Sequence, residues 1–209
     1  MTATTRLVVD CAVSGLSLAL QNMATGQVFS HTSTQFRGSD ALPTQLDEVF
    51  KQSGTGAAHI ATIGVTVGPG SFTGSRLGLA AAEALKLTNP AIQIIGLSTL
   101  QALALQMVAE HAPQKPFTIL LDAAGGQAYA QTFTPQAQPV DDARCLPLAQ
   151  AAALPAPLFA QTGLMLPPPA QAFTTLHPQF MLDSLNVAAY CLPPQPVYLK
   201  PLTYRRADA

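Results

Sequence analysis

LVVDCAVSGLSLAL at residues 7–20 and ILLDAAGGQAYAQTF at residues 119–133 share one plan. Each is an apolar run that stops at an aspartate (Asp10, Asp122), passes through small residues and glycine, and resumes as a second run. A short unbroken Leu/Val/Ile run marks a strand buried on both faces. The alternation of Leu16, Leu18 and Leu20 with Ser17 and Ala19 marks a strand with one buried face. The two hairpins lie about half of the 209-residue chain apart. That spacing points to an internal duplication of a strand–Asp–turn–strand unit, with chance similarity of two hairpins as the alternative.

Working outward, Val28 to Thr34 pairs as a third strand, so the chain opens with an antiparallel meander. Ser39 is placed to cap a helix to Lys51 with Leu42, Leu46, Val49 and Phe50 on one face. A strand over Ile60–Val67 is stopped by Gly68-Pro69-Gly70, and a helix over Thr73–Thr88 follows. A strand over Ile92–Leu97 leads into a helix that Ser98 and Thr99 cap and that runs to Glu110. Phe117–Leu121 and Ala128–Phe133 then repeat the opening hairpin. Fifteen of the 18 prolines follow residue 112, so the second half is interrupted by Pro- and Ala-rich loops. The expected organisation is α/β, with a subdomain over residues 1–100 and a smaller, degenerate one over residues 101–209. The last helix or tail of the second is expected to pack back on the first.

Composition excludes several classes. Only 10% of residues are charged, against roughly 25% in average domains. Mean hydropathy is +0.27, yet the most apolar stretch, Leu77 to Leu87, is broken by Glu83 and Lys86, where a membrane span needs about 20 apolar residues. Asp10 sits where an export signal needs its apolar core, so a soluble, cytoplasmic chain is expected. Net charge is −1 and the one adjacent basic pair, Arg205-Arg206, lies in the tail, so no basic stripe is available to displace phosphate counterions. Cys11, Cys145 and Cys191 form no CxxC and suggest neither a disulfide framework nor a zinc site. So few charges leave apolar surface that a partner would cover.

The densest motif is GPGSFTGSR at residues 68–76, between a strand and a helix. Three glycines there invite a phosphate-binding reading. The spacing resists it: there is no GxxxxGK[ST], GxGxxxG stands in place of GxGxxG, and Pro69 occupies the first glycine of a GxSxG elbow. What remains is a stripe of small residues, Gly74, Gly78 and Ala82 at i, i+4 and i+8, with Ala81 and Leu85 beside it. Such a stripe lets a second helix or the chain's own sheet approach closely. As a protein–protein seam it lies beside Phe72 and Arg76, residue types favoured at interface hot spots. Asp10 and Asp122 would face each other across the cleft of a duplicated fold, where carboxylates hold Mg²⁺-phosphate; the alternative is that each caps a turn. The four histidines never occur at i, i+3 or i, i+4, and no acid–base pair or triad assembles, so no catalytic residue and no metal ligand is assigned.

Gly68-Pro-Gly-Ser-Phe-Thr-Gly-x-Arg76-Leu-Gly78, followed by Ile95-Gly-Leu-Ser-Thr-Leu100, resembles the signature of the bacterial TsaB family, also called YeaZ. The start Leu7-Val-Val-Asp10-Cys-Ala, the segment Asp122-Ala-Ala-Gly-Gly-Gln-Ala-Tyr129 and the closing Pro196-Val-Tyr-Leu199 are similar to that family's corresponding segments. The resemblance covers residues 5 to about 135 and the last dozen. It implies an actin-like, sugar-kinase-like (ASKHA) fold of two duplicated RNase H-like subdomains. It also implies a non-catalytic scaffold in the threonylcarbamoylation of the adenosine next to the anticodon of tRNA. In that role the chain would bind a TsaD-like paralogue, which carries the metal and the transfer chemistry, together with a TsaE-like ATPase. It would form a homodimer when isolated, reach tRNA only through the complex, contact no membrane and hold no cofactor, with ATP and Mg bound mainly by the partners.

Proteins of this kind pair through the two helices named above. The resemblance thus implies an interface of Leu42, Leu46, Gly70, Phe72, Thr73, Gly74, Arg76, Leu77, Gly78, Ala81, Ala82 and Leu85, with Asp10 and Asp122 as nucleotide candidates. The chain departs from the family pattern at Ala124 (Arg in the family), Gln127 (Glu), Lys200 (often Arg) and Ser75 (aliphatic), and Arg37–Pro43 lacks a customary His. No site is expected over residues 140–195. An ATP-dependent enzyme of the same fold is the alternative, and a peptidase is disfavoured for want of a nucleophile motif or metal ligands.

Overall fold

The computed structural model describes residues 4–34, 41–166 and 170–200. The proposed cap Ser39 and the pair Arg205-Arg206 lie outside these residues. Two sheets organise the rest. The first contains β1 (Thr5–Asp10), β2 (Leu16–Asn22), β3 (Val28–Ser33), β4 (Ile60–Gly68), β5 (Gln93–Ser98) and, from the chain's far end, β11 (Cys191–Leu192). The second contains β6 (Phe117–Asp122), β7 (Gln127–Phe133), β8 (Arg144–Pro147), β9 (Leu158–Gln161) and β10 (Gln171–Phe173).

Their topologies coincide. In the first sheet β1 pairs antiparallel with β2 and β2 with β3, while β4 joins β1 and β5 joins β4 in parallel. In the second, β6 pairs antiparallel with β7 and β7 with β8, while β9 joins β6 and β10 joins β9 in parallel. The strands ending at Asp10 and Asp122 are therefore equivalent central strands. The fold is α/β, two units that repeat one strand topology, as the expected duplication requires.

The apolar runs are buried as their pattern requires. Leu7 and Val9 face one side of the first sheet and Val8 the other, and all three are inaccessible to solvent or nearly so. On the outer side lie α1 (Ala41–Ser53) and α2 (Phe72–Thr88), which cover Leu16, Leu18, Leu20, Ile63 and Val65 with Leu42, Leu46, Val49, Leu79 and Ala82. On the inner side, α3 (Thr99–His111) and α5 (Pro178–Ser184) fill the space between the sheets, packing with Phe117, Ile119, Leu121 and Phe133 of the second. Helix α3 is buried over most of its surface from Thr99 to Met107, Gln101 and Gln106 included, because both its faces are covered. The second sheet's outer face carries a smaller cluster around Leu120, Ala128 and Ala160, with one short helix, α4 (Leu148–Ala151). A fully buried Leu or Phe contributes roughly 1.5–3 kcal/mol, so the central layer joins the two units firmly.

After β10 the chain returns to the first unit. Helix α5 packs on β1 and β2, and β11 extends the first sheet at β5. Residues 193–200 then run back toward the second unit, with the Val197 amide donating to the Val67 carbonyl (2.8 Å).

Candidate functional site

A cleft of about 540 Å³ opens between the units. Ala12 and Val13 of the β1–β2 turn line it, with Gly70, Ser71, Phe72 and Ser75 at the start of α2. Across from them stand Asp122, Ala123 and Ala124 of the β6–β7 turn, with Tyr129 and Gln161. Val197, Tyr198 and Lys200 close one side.

The GPGSFTGSR segment serves mainly to bring α2 close to the β1–β2 turn. The Ser71 amide donates to the Ala12 carbonyl (2.7 Å), and Ser71 caps α2 by accepting from the Gly74 amide (3.1 Å). A Cβ on Gly74 would lie 1.7 Å from the Cys11 carbonyl oxygen, and one on Gly70 2.4 Å from that of Ala12. A Cβ on Gly78 would meet Val65 at 3.0 Å. Gly74, Gly78 and Ala82 are buried and face the chain's own sheet. The expected seam through Gly70, Gly74, Gly78 and Ala82 is therefore corrected: close approach is used, but by the β1–β2 turn and β4. Leu42 and Leu46 are likewise core residues beneath α1 and are not available to a partner. Helical spacing places them on one face of α1 without saying what that face meets.

The outer side of α2 retains Phe72, Thr73 and Arg76, exposed, and Leu77, Ala81 and Leu85, half-buried, with Leu87 86% exposed at its end. The Arg76 guanidinium lies 3.8 Å above the Phe72 ring centre, and its Nε donates to the Tyr198 hydroxyl (3.0 Å). The Phe72 and Tyr198 rings stand 5.1 Å apart.

The two aspartates do not face each other. Asp10 is 1% exposed and does not line the cleft. Its Oδ1 accepts from the Ala12 amide (2.9 Å) and the Thr66 hydroxyl (2.5 Å). Burial pushes its carboxyl above the ordinary value, against the opposing pull of these hydrogen bonds. As a direct nucleotide ligand Asp10 is thus corrected to a buried turn residue. Asp122 is exposed in the cleft and accepts from the Ala124 amide (2.8 Å). Neighbouring Cys11 is inert at neutral pH, its thiol pushed up to about 12 by burial and then by the Asp10 charge. Burial, aided by Cys145 and Asp122, also raises the Tyr129 hydroxyl. Among the described residues no group of three or more His, Cys, Asp or Glu could hold a metal ion, and no helix is long and apolar enough to cross a membrane.

Gln161 was missed, since no site was expected over residues 140–195. Its Nε2 donates to the Ser14 hydroxyl (2.7 Å) and the Val13 carbonyl (3.2 Å), while its Oε1 accepts from the Asp122 amide (2.9 Å). It ties the two aspartate turns together at the floor of the cleft. Lys200, singled out only as a departure, donates to the Ala123 and Ala124 carbonyls (2.9 and 3.0 Å). The signal available in the sequence was position alone: Gln161 ends β9, which pairs with β6.

Residues 33–158 match the family model described as TsaD: tRNA N6-adenosine threonylcarbamoyltransferase. Over 98 residues, 47% of this chain, the sequence is 33% identical to the tRNA threonylcarbamoyladenosine biosynthesis protein TsaB of Escherichia coli (strain K12), covering 42% of that protein. It is 29% identical over 98 residues, 46% of the chain, to the MG208 homolog of Mycoplasma pneumoniae, covering 50% of it. The alignments thus span half or less of these relatives' length. YeaZ from Pseudomonas aeruginosa shares the fold, with a TM-score of 0.76 over 94% of this chain and 100% of that one at 19% identity. With more than half of its residues matched, the chain belongs to the family of that TsaD model, and it is similar in sequence to TsaB and in fold to YeaZ.

Proposed function

We propose that this chain is a non-catalytic scaffold subunit in tRNA threonylcarbamoyladenosine formation, docking a TsaD-type transferase on the outer side of α2. The observation that carries this is the exposed Phe72–Arg76 pair on α2, flanked by the half-buried Leu77, Ala81 and Leu85. An aromatic–Arg centre with an apolar flank is the composition of an interface hot spot. Asp10 is held in the interior rather than presented to a phosphate, which supports ATP and Mg being bound mainly by the partners, a TsaE-type ATPase among them. The same α2 face serves a homodimer when the chain is alone, and tRNA is reached through the complex.

Co-purification with a TsaD-type transferase tests this. Phe72→Ala and Arg76→Ala should each weaken pairing at least tenfold, about 1.4 kcal/mol or more, while the circular dichroism spectrum stays that of the parent. Undiminished pairing would place the interface elsewhere. The cleft with exposed Asp122 at its rim favours one rival, an ATP-dependent enzyme. Mg²⁺-ATP at 100 times its Kd would stabilise the chain by about 2.7 kcal/mol. The scaffold predicts no such thermal shift, and turnover abolished by Asp122→Ala would establish the enzyme instead.

A further inference from the structure

We propose that residues 193–200 are a latch across the cleft, released when a partner takes Phe72 and Arg76, so that docking on α2 and opening of the cleft are coupled. The coupling rests on the docking role proposed above; the latch itself does not.

Eight residues connect the two units. At one end the segment leaves β11 at the edge of the first sheet and passes so close to β5 and β4 that glycine is needed beneath it. A Cβ on Gly96 would lie 2.4 Å from the Pro193 carbonyl oxygen, and one on Gly68 3.0 Å from that of Val197. At the other end the Lys200 ammonium holds the β6–β7 turn of the second unit through the Ala123 and Ala124 carbonyls. Pro193, Pro194 and Pro196 restrict the backbone between them, so a pull at one end is transmitted rather than absorbed.

Midway, Tyr198 is held by Arg76 and rests against Phe72. It is 47% exposed and Phe72 41%. These contacts sit at the surface, where each hydrogen bond contributes modestly because water competes for both partners. They are therefore releasable. Arg76 and Phe72 also form the centre of the docking face. A partner that engages the guanidinium and the ring competes with Tyr198 for both. Binding then draws on a state in which the strap is loose, and the affinity is reduced by the fraction of time the latch is closed.

Lys200→Ala separates the possibilities because Lys200 does not belong to the α2 face. In the isolated full chain, amide hydrogen exchange should be at least threefold faster at Val197, whose N–H donates to Val67, and in the 123–126 turn. Affinity for the TsaD-type transferase should rise about three- to tenfold, and Tyr198→Ala should act in the same direction. Unchanged exchange in Lys200→Ala would overturn the latch. Unchanged affinity with faster exchange would overturn the coupling, and so would an affinity that falls in Tyr198→Ala, because Tyr198 would then be part of the docking surface. If neither parent nor variants bind the transferase, the docking role and the coupling both fail, and the exchange result still decides the latch.

Discussion

Asp10 and Asp122 end equivalent strands and make the same local bond, a carboxylate oxygen accepting from the amide two residues on, at 2.9 and 2.8 Å. Beyond that bond they part. The first turn is roofed by α2 and the Thr66 hydroxyl, which seal its carboxyl from water. Among the described residues the second has no counterpart of α2 above it, and its carboxyl stands in the open cleft. Duplication preserves what the backbone needs at a strand end, whereas the elements laid over the turn decide whether the acid is structural or accessible. Function in this family branch is therefore better sought in what differs between the units than in the repeated hairpin.

Substitution of the turn glycines gives the largest contrast. Gly15 has φ +84°, and a Cβ there would lie 1.8 Å from the Ser33 carbonyl oxygen. Gly15→Ala should cost about 3 kcal/mol or more in urea unfolding, since backbone must move as well as adopt a strained φ. Gly126 has a similar φ, +73°, but open space around it, so Gly126→Ala should cost about 1 kcal/mol. Equal costs would mean that the two turns are packed alike after all.

A second contrast concerns the acids. Asp10→Ala leaves the Thr66 hydroxyl and the Ala12 amide buried without their acceptor, at about 1–3 kcal/mol. Asp122→Ala, in solvent, should cost under about 1 kcal/mol. The pH dependence sharpens this. Because burial raises the Asp10 carboxyl above 3.8, the folded state holds a proton that the unfolded chain releases. The associated stability is full below 3.8 and is lost as pH rises through the raised folded value. Denaturation of the parent and Asp10→Asn from pH 4 to 8 should show the parent losing stability relative to the variant as pH rises. A parallel pair of curves would contradict the sealed first turn.

A third effect joins the two turns. Gln161→Ala removes donations to Val13 and Ser14 and acceptance from Asp122, at about 1–2 kcal/mol in thermal unfolding. Faster exchange of the 11–15 and 123–126 amides together would accompany it. Faster exchange in one turn alone would mean that Gln161 serves that turn and not the pair.

The sequence alone determined the secondary structure as far as Phe133, because it rests on local signals, whereas β8–β11, α4 and α5 lie among the Pro- and Ala-rich segments read as loops. The runs ending at Asp10 and Asp122, the period-two leucines of β2, the stop at Gly68-Pro69-Gly70 and the cap Ser98 all act within a few residues. The expected and observed helix bounds of α2 differ by one residue, Phe72 against Thr73. The repeat of strand, aspartate, turn and strand also carried the duplication. Tertiary structure decided which surfaces meet. A small-residue stripe permits close approach to any apolar surface, and only the packed fold assigned Gly74 and Gly78 to Cys11 and Val65 rather than to a second chain. Asp10 and Asp122 look alike locally and differ by what lies above them. Gln161 reaches Ser14 across 147 positions and Tyr198 meets Arg76 across 122. Contacts at such separations leave no periodicity to read, since they depend on how two finished units are set against each other.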